Sequence, residues 1–256
     1  GPSRLIAYHK EALEYYRALA EANISVDMIG VEDDLSKYKL VIAPMMYMCK
    51  DGYDEKIRTY VQNGGHFVTT YFSGYVEDHD LVVTGGYPAR LRDILGIWVE
   101  ESDAIEEGRS NHFQYKGEEY PATVLCDLLH LEGAQAISAY EEDFYAGMPV
   151  LTRNKFGQGE AYYVATRSDH AFYRKYIRNM CEELDIAPVM QTPDGVEATV
   201  RENEKGSFLF ILNHREEPTE ISIPADGTDL IKNITYHEGE SVTLASKDVI
   251  ILKKTK

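Results

Sequence analysis

The sequence is poor in cysteine and in tryptophan. Of its 256 residues, 3 are cysteines and 1 is a tryptophan. The cysteines stand far apart, at Cys49, Cys126 and Cys181, which argues against a disulfide framework and against a metal site with CxxC spacing. Unpaired thiols favour a reducing compartment, so we expect the protein to be cytoplasmic.

Basic residues and long apolar runs are also scarce. Lysine and arginine total 26 against 43 aspartates and glutamates, which gives a formal net charge of −17. A field of that sign repels phosphate backbones and anionic lipid, so we expect neither nucleic acid nor a membrane surface as a partner. No apolar stretch approaches the length of a membrane span, and the first residues show no signal pattern, so we expect no segment that spans or crosses a membrane.

The first part of the chain alternates between helical and strand patterns. Ser3 precedes an amphipathic series with helical spacing, and a second helix runs from Asp54 to the Gly64-Gly65 pair. Three β-branched runs predict short strands, at 26–29, 40–43 and 66–70. After a long loop at 71–86 we predict further elements: helices over 87–95 and 171–184, and strands near 98–100, 122–126, 136–140 and 160–165. Such alternation is typical of an α/β layer with a parallel sheet.

The pattern changes between Pro188 and Gly195. Six short apolar runs follow at intervals of about ten residues, over 196–201, 207–212, 219–223, 229–234, 241–244 and 249–252. This spacing predicts a small antiparallel β-sandwich. We therefore predict an α/β domain over 1–188 and a β-domain over 189–256.

The turn after the 66–70 strand is the first candidate for chemistry. Many α/β enzymes expose a nucleophile on a turn of this kind, and class I glutamine amidotransferases place a cysteine there. The matching position here holds Phe72. Ser73 would need a histidine base held by a carboxylate, and His79 stands six residues further on in an acidic loop. An amidotransferase-like or esterase-like hydrolase using Ser73 stays as an alternative to a structural or interface loop.

Acidic and histidine residues form no convincing catalytic or metal-binding pattern. A glycosidase needs two carboxyls about 5–9 Å apart on separate strands, whereas the conspicuous acids here are neighbours in sequence, at 100–101, 106–107, 118–119 and 141–143. The 8 histidines show no HxxxH or HExxH spacing. We predict no catalytic residue, no metal site and no cofactor.

Large apolar side chains gather after two neighbouring strands. The carboxyl ends of parallel strands meet at one edge of a sheet, and flexible thioethers beside aromatic rings often mark interaction surfaces. The candidate interface residues are Met45, Met46, Tyr47, Met48, Tyr71, Phe72 and Tyr75.

Several segments resemble the trimerisation domain of family 42 glycoside hydrolases, which are β-galactosidases. They are YKLVIAPMMYM at 38–48, YVQNGGHFVTTYFSGYVEDHD at 60–80 and GGYPARLRDILGIWVEE at 85–101. GQGEAYYVAT at 157–166 resembles the end of that domain, and the segments GVEATVR and FLFILNH within 195–214 resemble the C-terminal β-domain of the family. The similarity runs in order through essentially the whole chain.

The resemblance implies an amidotransferase-like, flavodoxin-related three-layer fold for the first domain and a homotrimer built through it. Family members carry two catalytic glutamates in an N-terminal (β/α)8 barrel, which needs about 250 residues of its own. No segment here matches that barrel, so the catalytic residues of the family correspond to no position in this chain. We therefore expect a non-catalytic assembly portion of a retaining β-galactosidase, inactive alone, whose partners are itself and the barrel.

Two further expectations follow from the same reading. In the family a β-strand precedes the helix that begins here near Ser3, and an open sheet of this type uses that strand in its interior. We therefore expect either that the remaining sheet rearranges or that another segment covers the gap. A carbohydrate-binding module on the β-domain stays as a further alternative, because the sequence is rich in tyrosine, with 19 residues, and aromatic rings are the usual platform for sugars.

Overall fold

A computed structural model describes residues 3–255. The helices are α1 (Tyr8–Glu21), α2 (Tyr53–Gln62), α3 (Arg92–Leu95) and α4 (His170–Glu183), with a 3₁₀ turn at Ala89–Leu91. The strands are β1 (Leu40–Ala43), β2 (His66–Thr70), β3 (Ile97–Ala104), β4 (Asn111–Tyr115), β5 (Glu118–Leu131), β6 (Gln135–Ala139), β7 (Pro149–Phe156), β8 (Gly159–Val164), β9 (Thr166–Arg167), β10 (Val196–Asn203), β11 (Gly206–Asn213), β12 (Thr219–Ser222), β13 (Gly227–Asp229), β14 (Ile234–Tyr236), β15 (Ser241–Leu244) and β16 (Val249–Lys254). In this described part, every helix is too short or too polar to cross a lipid bilayer.

The first of two compact units holds the residues up to Tyr15 together with Ile29–Tyr173. Its main sheet has the order β1-β2-β8-β7-β6, and its second sheet has the order β3-β5-β4, with β9 also paired to β5. Strands β1, β2 and β8 are parallel, whereas β7 and β6 are antiparallel to their neighbours. The sheet is therefore mixed, not parallel as predicted. A two-residue turn joins β7 to β8 and a nine-residue loop joins β6 to β7. Both connections are shorter than the crossover of a dozen or more residues that parallel neighbours need.

The β1–α2–β2 segment forms as the sequence predicts. Helix α2 ends at Gln62, and the chain then turns through Gly64, whose φ is 103°. Gly65 permits a close approach, because a Cβ atom there would lie 2.3 Å from the ring of Tyr60. The Tyr60 hydroxyl donates to the carbonyl of Tyr38 at 3.1 Å. This packing anchors the start of β2 and so fixes where the strand ends, at the edge that carries the candidate site.

Three sequence predictions need correction. Helix α1 begins at Tyr8 and not near Ser3, whose hydroxyl instead accepts the Leu5 N–H at 3.1 Å. Residues 26–29 form no strand, because no strand of residues 3–255 pairs with them, and Met28 is 77% exposed. The run 229–234 is a hairpin turn between β13 and β14. Strand β1 lies at one edge of the main sheet and pairs with β2 alone in the described part of the chain.

The second compact unit holds Tyr16–Met28 and the residues from Arg174 onward. A five-stranded antiparallel sheet, β10-β11-β16-β13-β14, shares one apolar core with the two-stranded sheet β12-β15. Alternate residues supply that core, such as Leu209 and Ile211 on β11, which follows from the two-residue period of a strand. This is the small antiparallel β-region that the strand spacing predicts.

Asn23, at the end of α1, is buried in the second unit. Its amide nitrogen donates to the carbonyl of Met190 at 3.3 Å and to the hydroxyl of Thr192 at 2.6 Å. Its amide oxygen accepts the Ala198 N–H at 2.7 Å. The side chain thus satisfies backbone groups of two segments at once, and Asn tolerates the φ of 54° found there.

All three cysteines are free and buried. Cys49 is 1% exposed, Cys126 is fully buried and Cys181 is 4% exposed. Burial raises the pKa of Cys49 to about 12 and the pKa values of Cys126 and Cys181 to about 11. They therefore act as small apolar core residues.

Candidate functional site

The turn after β2 places a phenylalanine in the left-handed backbone region. Phe72 has a φ of 62°, which costs an L-residue about 1–2 kcal/mol. Its N–H donates to Oδ2 of Asp127 at 3.3 Å, and the Gly74 N–H donates to the carbonyl of Met46 at 2.9 Å. Gly74 has a φ of 70°, and a Cβ atom there would lie 2.3 Å from the Pro88 carbonyl oxygen. These contacts keep Phe72 in an unfavourable backbone conformation, and such conformations are common in functional segments.

Ser73 is not arranged as a nucleophile. The residue is fully buried, and its hydroxyl accepts the Met46 N–H at 2.9 Å and bonds the Thr69 hydroxyl at 2.8 Å. The His79 side chain is exposed and hydrogen-bonded to Glu77. Because the serine hydroxyl faces these structural partners and no base, the geometry gives no support to a Ser73 hydrolase.

The seven candidate interface side chains lie at two depths. Met45 and Tyr71, at 5% and 0% exposure, belong to a core cluster with Val124 and Leu125. Phe72 packs against that cluster, so Met45 and Tyr71 support the surface from below and do not form it. The remaining five are half-buried or exposed: Met46, Tyr47, Met48, Phe72 and Tyr75.

Four aromatic rings contact one another in a continuous series at this surface, and we call them the aromatic cluster: Tyr47, Phe72, Tyr75 and Tyr87. Tyr47 stacks on Phe72 with ring centroids 5.0 Å apart, and Phe72 lies 4.7 Å from Tyr75. Tyr75 and Tyr87 are stacked at 3.9 Å. Sequence reasoning missed Tyr87, because it lies beyond a long loop and follows neither strand. Tyr47 is the most open of the four, at 37% exposure.

Asp127 lies beneath the aromatic cluster on β5 and is fully buried. Its carboxylate accepts the Ser102 hydroxyl at 2.5 Å, the Tyr163 hydroxyl at 2.7 Å and the Phe72 N–H. Desolvation raises the pKa of Asp127 to about 6, and the three hydrogen bonds oppose that rise. The sequence does carry a signal for this residue: it is the single charged position in the apolar run VLCDLL at 124–129.

A second buried acid, Glu11 on α1, lies in the same unit. It accepts the Tyr71 hydroxyl at 3.1 Å and the Tyr173 hydroxyl at 2.5 Å, and Arg167 lies 3.8 Å away. Desolvation raises the pKa of Glu11 to about 7, against the effects of Tyr173 and Arg167. A raised carboxyl pKa is a common mark of an active site, but Glu11 is 0% exposed and its bonding partners are buried structural side chains, so it cannot meet a substrate.

The other candidates stay on the surface. The neighbouring acids of the four runs are exposed, as expected for solvated faces. Across residues 3–255, no three His, Cys, Asp or Glu side chains are arranged to hold a metal ion. The aromatic residues of the β-domain, Phe208, Phe210 and Tyr236, are half-buried or buried, so none is a fully exposed ring of the kind that a sugar platform presents.

Comparison with known proteins assigns the chain to a family. The family model for the β-galactosidase trimerisation domain of glycoside hydrolase family 42 matches residues 1–187, and the model for the β-galactosidase C-terminal domain matches residues 195–254. The chain belongs to glycoside hydrolase family 42. It matches the two domains that family 42 enzymes carry outside the barrel, as the sequence motifs predict.

Curated family 42 relatives match along nearly all of the chain. β-Galactosidase BgaA of Planococcus sp. (strain SOS Orange) is 45% identical over 99% of this chain, and BgaB of Geobacillus sp. (strain Y412MC61) is 38% identical over 99%. The solved β-galactosidase from Bacillus circulans sp. alkalophilus superposes with a TM-score of 0.95 at 44% identity, over all of this chain. The chain spans 38% of the length of each of these relatives.

Proposed function

We propose that this chain is the assembly portion of a β-galactosidase. The chain forms a homotrimer through its first unit and carries no catalytic residue of its own. The observation that carries the proposal is the match of a trimerisation-domain model to residues 1–187 of a chain that spans 38% of its relatives. The complete enzyme hydrolyses terminal non-reducing β-D-galactosides in this proposal, and its catalytic glutamates lie in the barrel.

The finer assignments are part of the same proposal. The first domain, over 1–188, has an amidotransferase-like fold that has lost amidotransferase chemistry, and the β-domain covers 189–256. A left-handed residue two positions after a parallel strand supports this relationship, since Phe72 occupies the elbow position and offers no nucleophile. The buried free thiols support a reducing, cytoplasmic location.

The contact surface of the trimer comprises the aromatic cluster together with Met46 and Met48. Tyr47 stacks on both Phe72 and Tyr75, Phe72 packs against Tyr75 at a tilt of 45°, and the three side chains are only partly buried. Stacked rings flanked by thioethers suit a protein contact, because they bury a large apolar area at little cost in side-chain entropy. Closed cyclic symmetry covers this surface on every copy.

Light scattering of the 256-residue chain over a range of concentrations tests the assembly. We expect a trimer that dissociates on dilution and tightens as salt rises, because salt screens the repulsion between chains of net charge −17. Tyr47→Asp should weaken association, since it places a charge in the contact. Phe144→Asp is the matched control, because Phe144 is a 74% exposed ring outside the aromatic cluster. A monomer of 29.1 kDa that persists at high concentration and high salt would contradict the proposal.

A further inference from the structure

The burial of Asp127 lowers the stability of the fold, which suggests that the residue has another role. A fully buried carboxylate without a cation carries a large desolvation cost, which hydrogen bonds offset only in part. Asp127 has no ion-pair partner among residues 3–255, and every acceptor position it uses faces a neutral donor. Two series of hydrogen bonds connect this carboxylate to the aromatic cluster, one to Phe72 and one through Ser102 to Tyr75.

We propose that Asp127 is a positioning residue for self-association: its carboxylate holds Phe72 and Tyr75 in the arrangement that a neighbouring copy of the chain contacts. This inference rests on the proposed homotrimer and adds the group that shapes its surface. Asp127 reaches Phe72 directly, through the backbone N–H of a residue whose φ of 62° needs such support. It reaches Tyr75 through Ser102.

The proton of Ser102 fixes the direction of the second contact. The Ser102 hydroxyl donates to Oδ1 of Asp127 at 2.5 Å, which uses its single proton. The Tyr75 hydroxyl, 2.9 Å from the Ser102 oxygen, is therefore the donor of that pair. The result is a directed chain from Tyr75 to Ser102 to Asp127 that ends on a carboxylate, where hydrogen bonds are about twice as strong as neutral ones.

Protonation of Asp127 changes which groups donate and which accept in these hydrogen bonds. A carboxylic acid must donate one hydrogen bond, and the Phe72 N–H cannot accept it, because a backbone N–H is a donor only. When the proton sits on Oδ1 it is donated to Ser102, whose own proton then turns toward Tyr75. The Tyr75 hydroxyl then accepts the Ser102 proton, and its own proton loses the Ser102 oxygen as acceptor. Protonation on Oδ1 therefore reverses the bond between Ser102 and Tyr75, so that Tyr75 is no longer connected to a carboxylate, and leaves Phe72 held by a weaker, neutral acceptor.

The charge on Asp127 changes within an accessible pH range. Burial raises its pKa to about 6. The titratable side chains that face it are tyrosines whose pKa values burial raises above the usual value, so they stay neutral throughout: Tyr71, Tyr75, Tyr140 and Tyr163. Three other carboxyls lie near this network or the aromatic cluster: Glu11, which bonds Tyr71 and has a pKa of about 7, Asp103, which accepts the Tyr145 hydroxyl, and Asp80, which is hydrogen-bonded to Tyr47. Association should therefore weaken as pH falls through about 6.

Two near-isosteric variants of the 256-residue chain separate the titrations of Asp127 and Glu11. Asp127→Asn removes the titration, while the amide oxygen can still accept the Phe72 N–H and the amide group can donate to Ser102. Glu11→Gln removes the titration of Glu11 and is the matched control. The readout is the dissociation constant from sedimentation equilibrium at about pH 7.5 and pH 5.5. We expect the ratio of the dissociation constant at pH 5.5 to that at pH 7.5 to be about fivefold larger for the wild type and for Glu11→Gln than for Asp127→Asn. A factor of about five corresponds to one net hydrogen bond.

Ser102→Ala provides a second test that leaves the carboxylate in place. It cuts the connection to Tyr75 at a half-buried site, and we expect about fivefold weaker association at pH 7.5 with an unchanged near-UV circular dichroism spectrum. The proposal is overturned if Asp127→Asn keeps the full pH dependence of the wild type, or if Ser102→Ala folds and associates like the wild type. A wild type that stays monomeric overturns the homotrimer and this inference together, whereas an associating wild type with indifferent variants overturns this inference alone.

Discussion

Replacing the buried Glu11 by Gln should change how the stability of the chain depends on pH. The carboxyl is 0% exposed, and its pKa rises from 4.5 to about 7 on burial. Because the folded state binds the proton more tightly than the unfolded chain, the stability that Glu11 contributes is fully present below pH 4.5 and is lost as pH rises through 7. Gln carries no such titration, so the variant should gain stability over the wild type as pH rises.

The size of this effect follows from the two pKa values. At about 1.4 kcal/mol per pH unit, the interval from 4.5 to 7 amounts to about 3 kcal/mol, of which about 2.5 kcal/mol is lost between about pH 5 and pH 8. Urea unfolding of both proteins across that range measures it as a widening difference in the free energy of unfolding. Glu204→Gln, at an exposed position, should leave the wild-type profile unchanged. Parallel profiles for wild type and Glu11→Gln would refute the reasoning.

Three further predictions concern activity and stability. The purified 256-residue chain should not hydrolyse a chromogenic β-galactoside, because the catalytic glutamates of the family correspond to no residue in it; turnover that survives rigorous purification would contradict this. Gly74→Ala should lower the free energy of unfolding by at least about 2 kcal/mol, since φ is 70° and the new Cβ would lie 2.3 Å from the Pro88 oxygen; an unchanged denaturation midpoint would be the contrary result. Asn23→Ala should cost about 1–3 kcal/mol in the same assay by leaving the buried Ala198 N–H without its acceptor, and a smaller loss would mean that another group takes over.

Local signals predicted those elements that local chemistry determines. The glycine pair at 64–65 marks the end of α2, and the β-branched run behind it becomes β2, because a helix stop and a strand start need few distant partners. The strand spacing beyond Gly195 likewise predicts the antiparallel β-region. The residues at 26–29 have a strand-like composition, but a strand also needs a neighbour to pair with, which no local pattern supplies.

The sequence predicts which segments meet at the candidate site, but it does not predict which of their side chains are buried. Strand ends indicate that residues 45–48 and 71–75 meet, and the stacking of Tyr47 on Phe72 follows from that placement. The burial of Met45 and Tyr71 depends on the 124–125 segment, which comes from a strand far away in sequence. Asp127 was missed for the same reason, because whether a lone acid in an apolar run is buried and satisfied is decided by donors from three other segments.

Because each compact unit contains at least one buried thiol, the unfolding of each unit can be measured separately by thiol modification. An alkylating reagent reacts with the thiolate, so a cysteine that is buried and has a raised pKa is modified only while its surroundings are open. Cys49 and Cys126 belong to the first unit and Cys181 to the second. Timed alkylation followed by peptide mass spectrometry therefore yields separate opening rates for the two units of the unmodified sequence, with no engineered probe.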